Sequence, residues 1–161
     1  MSDVKTLHDE DLVAWSMQQA DALRAAVRDG SNQQLDWENL AEEIEDLGNS
    51  QRSALHSQIR RVIQHLLKLE NSPATEPRRG WIVSIADARN EIDYLLEVSP
   101  SLRTELQTAV PEETKRAIKV VVRDLEDYGE IDRAAAARLR ATTYTVEQIL
   151  DDDWFPPEPQ G

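Results

Sequence analysis

Residues 36–50 read D-W-E-N-L-A-E-E-I-E-D-L-G-N-S, and the fold turns on whether the glycine at position 48 ends a helix or lies inside one. Apolar residues Leu40, Ile44, Leu47, Leu55, Ile59, Val62, Leu66 and Leu69, with Gln51 in step, recur every three or four positions. That rhythm crosses Gly48 without losing phase, and two separate helices would have no reason to keep it. The spacing therefore predicts one rod over about 37–70, roughly 50 Å long at 1.5 Å per residue. Asp36 is placed as its N-cap, where a short carboxylate can accept from the free amides of the next turn, and the acids that follow suit the positive end of the helix dipole.

Working outward, Leu12, Trp15, Gln19, Leu23, Ala26 and Val27 give a first helix over about 9–29, closed by the breaker G-S-N at 30–32. The run N-S-P-A-T-E-P-R-R-G at 71–80 reads as a loop, because its two prolines cannot donate to a helix ladder. A third helix follows over about 81–98. Ser99-Pro100 stops it and opens a short fourth helix, and Pro111 is read as opening a fifth that runs to about Tyr128 with Gly129 as cap. Residues 132–141 and 145–150 supply two shorter helical stretches. The expected fold is all-α: a single-domain helical bundle of about five to six helices around one long central helix. It is read as an N-terminal arm at 1–8, a domain at 9–156 and a tail at 157–161.

Composition narrows the function classes. Only five glycines and 5% aromatic residues accompany 40% apolar residues in 161 positions, a mixture that favours helices. No apolar run approaches the roughly 20 residues needed to cross a bilayer, and the start of the chain lacks a basic and apolar leader, so no membrane association and a cytoplasmic location are expected. With no cysteine, disulfides, thiolate metal sites and cysteine nucleophiles are excluded.

The net charge of −13 is unevenly spread. Positions 1–49 carry 3 basic and 12 acidic residues, positions 50–80 carry 6 and 2, and positions 81–161 carry 9 and 17. Nucleic acid is disfavoured as a partner, since only the middle segment could attract phosphate. That segment holds Arg60, Arg61, Lys68, Arg78 and Arg79, which either face the chain's own acids or form a docking surface. On a helical wheel Glu38, Glu42 and Glu45 lie opposite the Leu40-Ile44-Leu47 stripe, on a wet face that could meet the basic island of another molecule; Glu43 falls at the stripe's edge.

Catalytic motifs are missing: there is no nucleophile elbow, phosphate-binding loop or paired-histidine motif, and no Glu-x-x-His that a metal-bridged bundle would need. No metal site, cofactor or catalytic residue is assigned. The wheel places His65 inside the apolar stripe, and Arg89 and Asp93 among Ile82, Ile85, Ile92 and Leu96. Because buried charge is costly unless paired, Gln58, His65, Arg89 and Asp93 are expected to form either a register-fixing polar network or a small anion or polar-ligand pocket. The primary expectation is a non-enzymatic helical interaction or regulatory module with a protein partner or a homo-oligomeric state. A ligand-binding, conceivably enzymatic, bundle centred on His65 and Arg89 is the rival.

Five stretches together resemble a bacterial family known as domain-of-unknown-function family twenty-nine, common in cyanobacteria. They are W-E-N-L-A-E-E-I-E-D-L-G (37–48), H-L-L-K-L (65–69), W-x-x-x-I (81–85), S-P-S-L (99–102) and Y-T-V-E-Q-I-L-D-D-D-W-F-P (144–156). Their order spans the chain from about Leu7 to Pro156. The resemblance implies a cytoplasmic α-helical domain with no activity to carry over, in which Trp154 and Phe155 pack back on the bundle. Lys115-Arg116 stand where relatives often show a tyrosine, and the region 132–142 is individual to this chain.

Overall fold

A computed structural model describes residues 3–31 and 34–159. Asn32 of the expected breaker and the outermost residues of the expected arm and tail lie outside them. Among the described residues there are seven α-helices and one 3-10 helix: α1 (Val4–Glu10), α2 (Leu12–Arg28), α3 (Trp37–Asn71), α4 (Arg78–Val98), the 3-10 helix Pro100–Glu105, α5 (Leu106–Asp127), α6 (Arg133–Arg140) and α7 (Val146–Leu150). The class is all-α, and the expected long helix is present as the 35 residues of α3. The helix count exceeds the expected five to six because part of the expected arm forms α1 and the expected stretch at 145–150 is a helix of its own, α7.

The chain divides into two compact units, Met1–Leu55 with Tyr94–Thr104, and His56–Asp93 with Glu105–Gly161. Helix α3 contributes 37–55 to the first and 56–71 to the second, and α4 is likewise shared.

In the first unit, Asp36 caps α3 as its sequence position requires: Oδ1 accepts from Asn39 N at 3.3 Å and Oδ2 from Asn39 Nδ2 at 2.6 Å. The helix then packs on a face that the leucine stripe does not define. Ala41 and Gly48 are buried, while Leu40 and Leu47 remain 40% exposed each. The reason lies in α2. A Cβ at position 48 would collide with the Ser16 hydroxyl, so glycine is what allows the two helices to approach, and α2 takes the small-residue side. Ser16 is fully buried and its hydroxyl donates to Val13 O at 2.9 Å. This rotation of the buried face also corrects the placement of Glu45: it is not free on a wet surface but accepts from Arg24 of α2 at 2.6 Å. Glu38 and Glu42 are exposed as expected.

The S-P-S-L stretch gains a physical role here. Asp11, nearly buried, caps α2 by accepting from Ala14 N at 2.8 Å and also accepts from Ser101 N at 2.6 Å and Ser101 Oγ at 2.9 Å. Ser99 Oγ in turn accepts from Val13 N at 3.2 Å. Asp11 and Ser99 thus accept from two of the free amides that begin α2, and Ser101, by donating to Asp11, holds the helix on the Ser99–Ser101 turn.

In the second unit the core is aliphatic: Ile59, Val62, Ile63, Leu66 and Leu67 from α3, Ile85, Ala88 and Ile92 from α4, Val110, Ala117, Val121 and Leu125 from α5, Leu139 from α6 and Ile149 from α7. Pro111 lies inside α5 rather than opening it. The amide it lacks would have reached the carbonyl of Gln107, an exposed residue, so water can satisfy that group and the helix continues. Gly129 ends α5 at φ +65°, the left-handed conformation that favours glycine, with Glu130 N returning to Leu125 O at 2.8 Å. Asp132 caps α6 through Ala135 N, and Thr145 forms a reciprocal capping box with Gln148 around α7.

Candidate interaction face on α3 and α5

The four residues expected to share a polar pocket take different roles. Arg89 is 1% exposed, and its guanidinium is turned onto backbone carbonyls. Its Nε donates to Ile149 O at 2.9 Å, its Nη2 to Gln148 O at 2.9 Å and Trp154 O at 3.0 Å, and its Nη1 to Asp152 O at 3.3 Å. The Phe155 ring lies against it, 5.2 Å from Cζ to the centroid. The residue therefore caps the end of α7 and folds the D-W-F-P segment back onto the unit, where Trp154 also meets Tyr144 edge-on. Burial lowers its affinity for the proton, and the carboxylates that oppose this are Asp152 and Asp151, not Asp93. Asp93 is exposed.

Gln58 and His65 remain on the second unit's stretch of α3, with Gln58 Oε1 and His65 Nδ1 buried and without a hydrogen-bond partner. Burial, followed by the charges of Lys68 and Arg61, pushes the His65 imidazole down to about 4, so the ring is neutral at ordinary pH. Tyr144, half-buried at the head of the C-terminal motif, donates to Glu70 at 3.0 Å; burial first, then the Glu70 charge, raises its phenol well above the usual range. Among the described residues no group of three or more histidines or acids is placed to hold a metal ion.

The basic island read from residues 60–79 is divided by its own neighbours. Lys68 pairs with Asp124 at 3.3 Å. Arg78 donates to Leu69 O at 3.0 Å, closing the α3–α4 loop, and has Glu158 at 3.7 Å. Arg79 is exposed. Arg60 and Arg61 instead join cations from α5 that the sequence reading passed over.

Beneath that new cluster sits Glu113, fully buried on α5. Its Oε1 is contacted by His56 Nδ1 at 2.9 Å and accepts from Arg116 Nη1 at 2.7 Å. Its Oε2 accepts no hydrogen bond and has Arg60 Nε as an ion-pair neighbour at 3.4 Å. A buried carboxylate of this kind fixes the side chains around it, so Arg60 and Arg116 are held at the surface in defined positions. Arg116 is further braced by Glu112 at 3.1 Å.

Two open grooves flank these residues. One, of about 590 Å³, runs between Ser57, Arg60, Arg61 and Gln64 on α3 and Arg116, Lys119 and Val120 on α5. The other, of about 680 Å³, is lined by Lys115, Ile118, Lys119, Val122, Arg123 and Glu126 of α5 with Arg140 of α6. Lys119 lines both, so the two grooves adjoin along α5, with Val120 in the first and Ile118 and Val122 in the second. Arg61, Lys115, Lys119 and Arg123 make no hydrogen bond or ion pair among the described residues. In a chain with 31 acidic and 18 basic residues, these four cations line the two grooves with no carboxylate partner among the described residues.

Comparison with known proteins places the fold and leaves the chemistry open. A solved structure, that of an alpha-helical protein of unknown function from Rhodospirillum rubrum, matches with a TM-score of 0.67 at 24% identity, over 91% of this chain and 90% of that one. No curated protein matches. The family model described as Domain of unknown function DUF29 matches residues 7–155, nearly the whole of the described chain, and the protein belongs to that family.

Proposed function

We propose that this protein is a non-enzymatic helical interaction module whose docking surface is the basic face of α3 and α5, and that its partner is an acidic protein segment. The observation that carries the reading is the set of unpaired cations Arg61, Lys115, Lys119 and Arg123 around the two grooves. Lys68, Arg78, Arg116 and Arg140 of the same unit each have a carboxylate neighbour, as Lys68 has Asp124, whereas these four groove cations converge on one surface without one among the described residues. Exposed Val120 and the half-buried, groove-lining Ile118 add apolar surface beside the charges, which favours an amphipathic polypeptide over a bare phosphate backbone. The neutral His65 and the fully engaged Arg89 give the rival ligand pocket no cationic group to offer.

Titration of a fluorescent synthetic peptide of alternating glutamate-rich and leucine turns tests this. Binding is expected at low salt, with weakening as salt rises. The triple substitution Arg61→Gln, Lys119→Gln, Arg123→Gln should weaken it by about three- to 150-fold, given roughly 0.2–1 kcal/mol per exposed ion pair. Binding that survives the triple substitution, or a DNA oligonucleotide held more tightly than the peptide, would overturn the reading.

A further inference from the structure

We infer that the acidic segment taken by this face is the start of α3 in a second copy of the same chain. The inference rests on the proposed function above and names its partner.

The start of α3 presents an exposed amphipathic side. Leu40 and Leu47 are spaced two turns apart, share one side of the helix and are each 40% exposed; Leu35, just before the helix, is 50% exposed. Glu43 lies between the two leucines on the same side, Asp46 beside it, and both are exposed. Neither carboxylate has an ion pair among the described residues, whereas Glu45, on the other flank, is held by Arg24. The surface is therefore apolar at its centre and anionic at its margin.

The basic face has the same pattern with the sign reversed. Val120, 41% exposed, stands among Arg61, Arg116 and Lys119, and Ile118 and Val122 among Lys115, Lys119 and Arg123. An acidic helix laid along the groove between α3 and α5 buries its leucines against Val120 and sets Glu43 and Asp46 near Arg61 and Lys119. Because the helix and the groove are different patches of the same chain, the contact is heterologous: every copy offers one of each.

That asymmetry provides the test. One variant carries Arg61→Glu and Lys119→Glu and keeps an intact acidic helix; the other carries Glu43→Lys and Leu47→Ser and keeps an intact basic face. All four positions are exposed, so the folds should persist, and circular dichroism checks this; Arg61→Gln with Lys119→Gln provides a milder first variant. Light scattering at low salt and submillimolar concentration should show wild type associating and each variant alone monomeric. An equal mixture should give a complex containing both, detected by labelling one partner, and high salt should dissolve it. A monomeric wild type, a variant that still self-associates, or a mixture that stays monomeric overturns the inference. If wild type stays monomeric yet binds the acidic peptide and the triple substitution abolishes that binding, only the choice of partner has failed; if the peptide does not bind either, the docking face itself has.

Discussion

Arg89 and the cations of α5 lie in the same compact unit and are opposite in every physical respect. Arg89 is buried and directs four hydrogen bonds at carbonyls of residues 148–154, while Lys115, Lys119 and Arg123 stand exposed with no partner among the described residues. Removing a group of the first kind leaves several buried acceptors unsatisfied; removing one of the second kind leaves only solvent where solvent already was. The difference separates charge that builds the molecule from charge that is available to something else, and it can be put to measurement.

The largest effect is expected at the buried end of the contrast. Arg89→Met should lower stability by about 3–5 kcal/mol, since the end of α7 and the turn after it lose their only guanidinium clamp. Denaturant melts give the value, and Trp154 fluorescence should report release of the C-terminal segment before global unfolding. A variant as stable as wild type would show that the carbonyls find other donors.

Next comes the close approach in the first unit. Gly48→Ala should cost about 1–2 kcal/mol despite the better helix propensity of alanine, because its Cβ meets the buried Ser16 hydroxyl. Adding Ser16→Ala removes that oxygen and should recover most of the loss. If the single change is neutral, the helices are less tightly apposed than the account requires.

A smaller effect is expected from His65, whose neutrality is imposed by burial and by Lys68 and Arg61. Its folded-state value, about 4, lies below the ordinary 6.5 of an unfolded histidine, so the unfolded chain binds more protons between those limits and stability rises with pH there. The penalty is absent above pH 6.5 and grows as pH falls toward 4, reaching on the order of 1–2 kcal/mol once partial solvent access is discounted. Comparing wild type with His65→Gln across that range isolates this component; parallel profiles would mean the ring takes up its proton in the folded state.

The sequence made the long helix legible because an unbroken three-four rhythm is a property of side chains alone, and one glycine does not erase it. The same rhythm pointed to the wrong buried edge in the first unit. Leucine carries the hydrophobic signal, but Ala41 and Gly48 decide how near α2 can come, and close approach favours small residues over large ones. Arg89 was singled out as a buried cation, yet its partners could not be named, since backbone carbonyls of residues 148–154 have no letter in the sequence. The basic face was missed for a related reason. Arg60 to Arg79 form a cluster that the eye finds along the chain, whereas Lys115, Lys119 and Arg123 are separated by four residues each and converge only when α5 is wound. Glu113, one acid among many in the sequence, becomes distinct only through complete burial.

The most direct test sets stability and binding side by side in one protein, the triple substitution Arg61→Gln, Lys119→Gln, Arg123→Gln. The account predicts stability within about 0.5 kcal/mol of wild type, as for exposed surface positions, together with a loss of acidic-peptide affinity of at least about threefold. A marked fall in stability, or affinity equal to wild type, would contradict the claim that these cations are held ready for a partner and not for the fold.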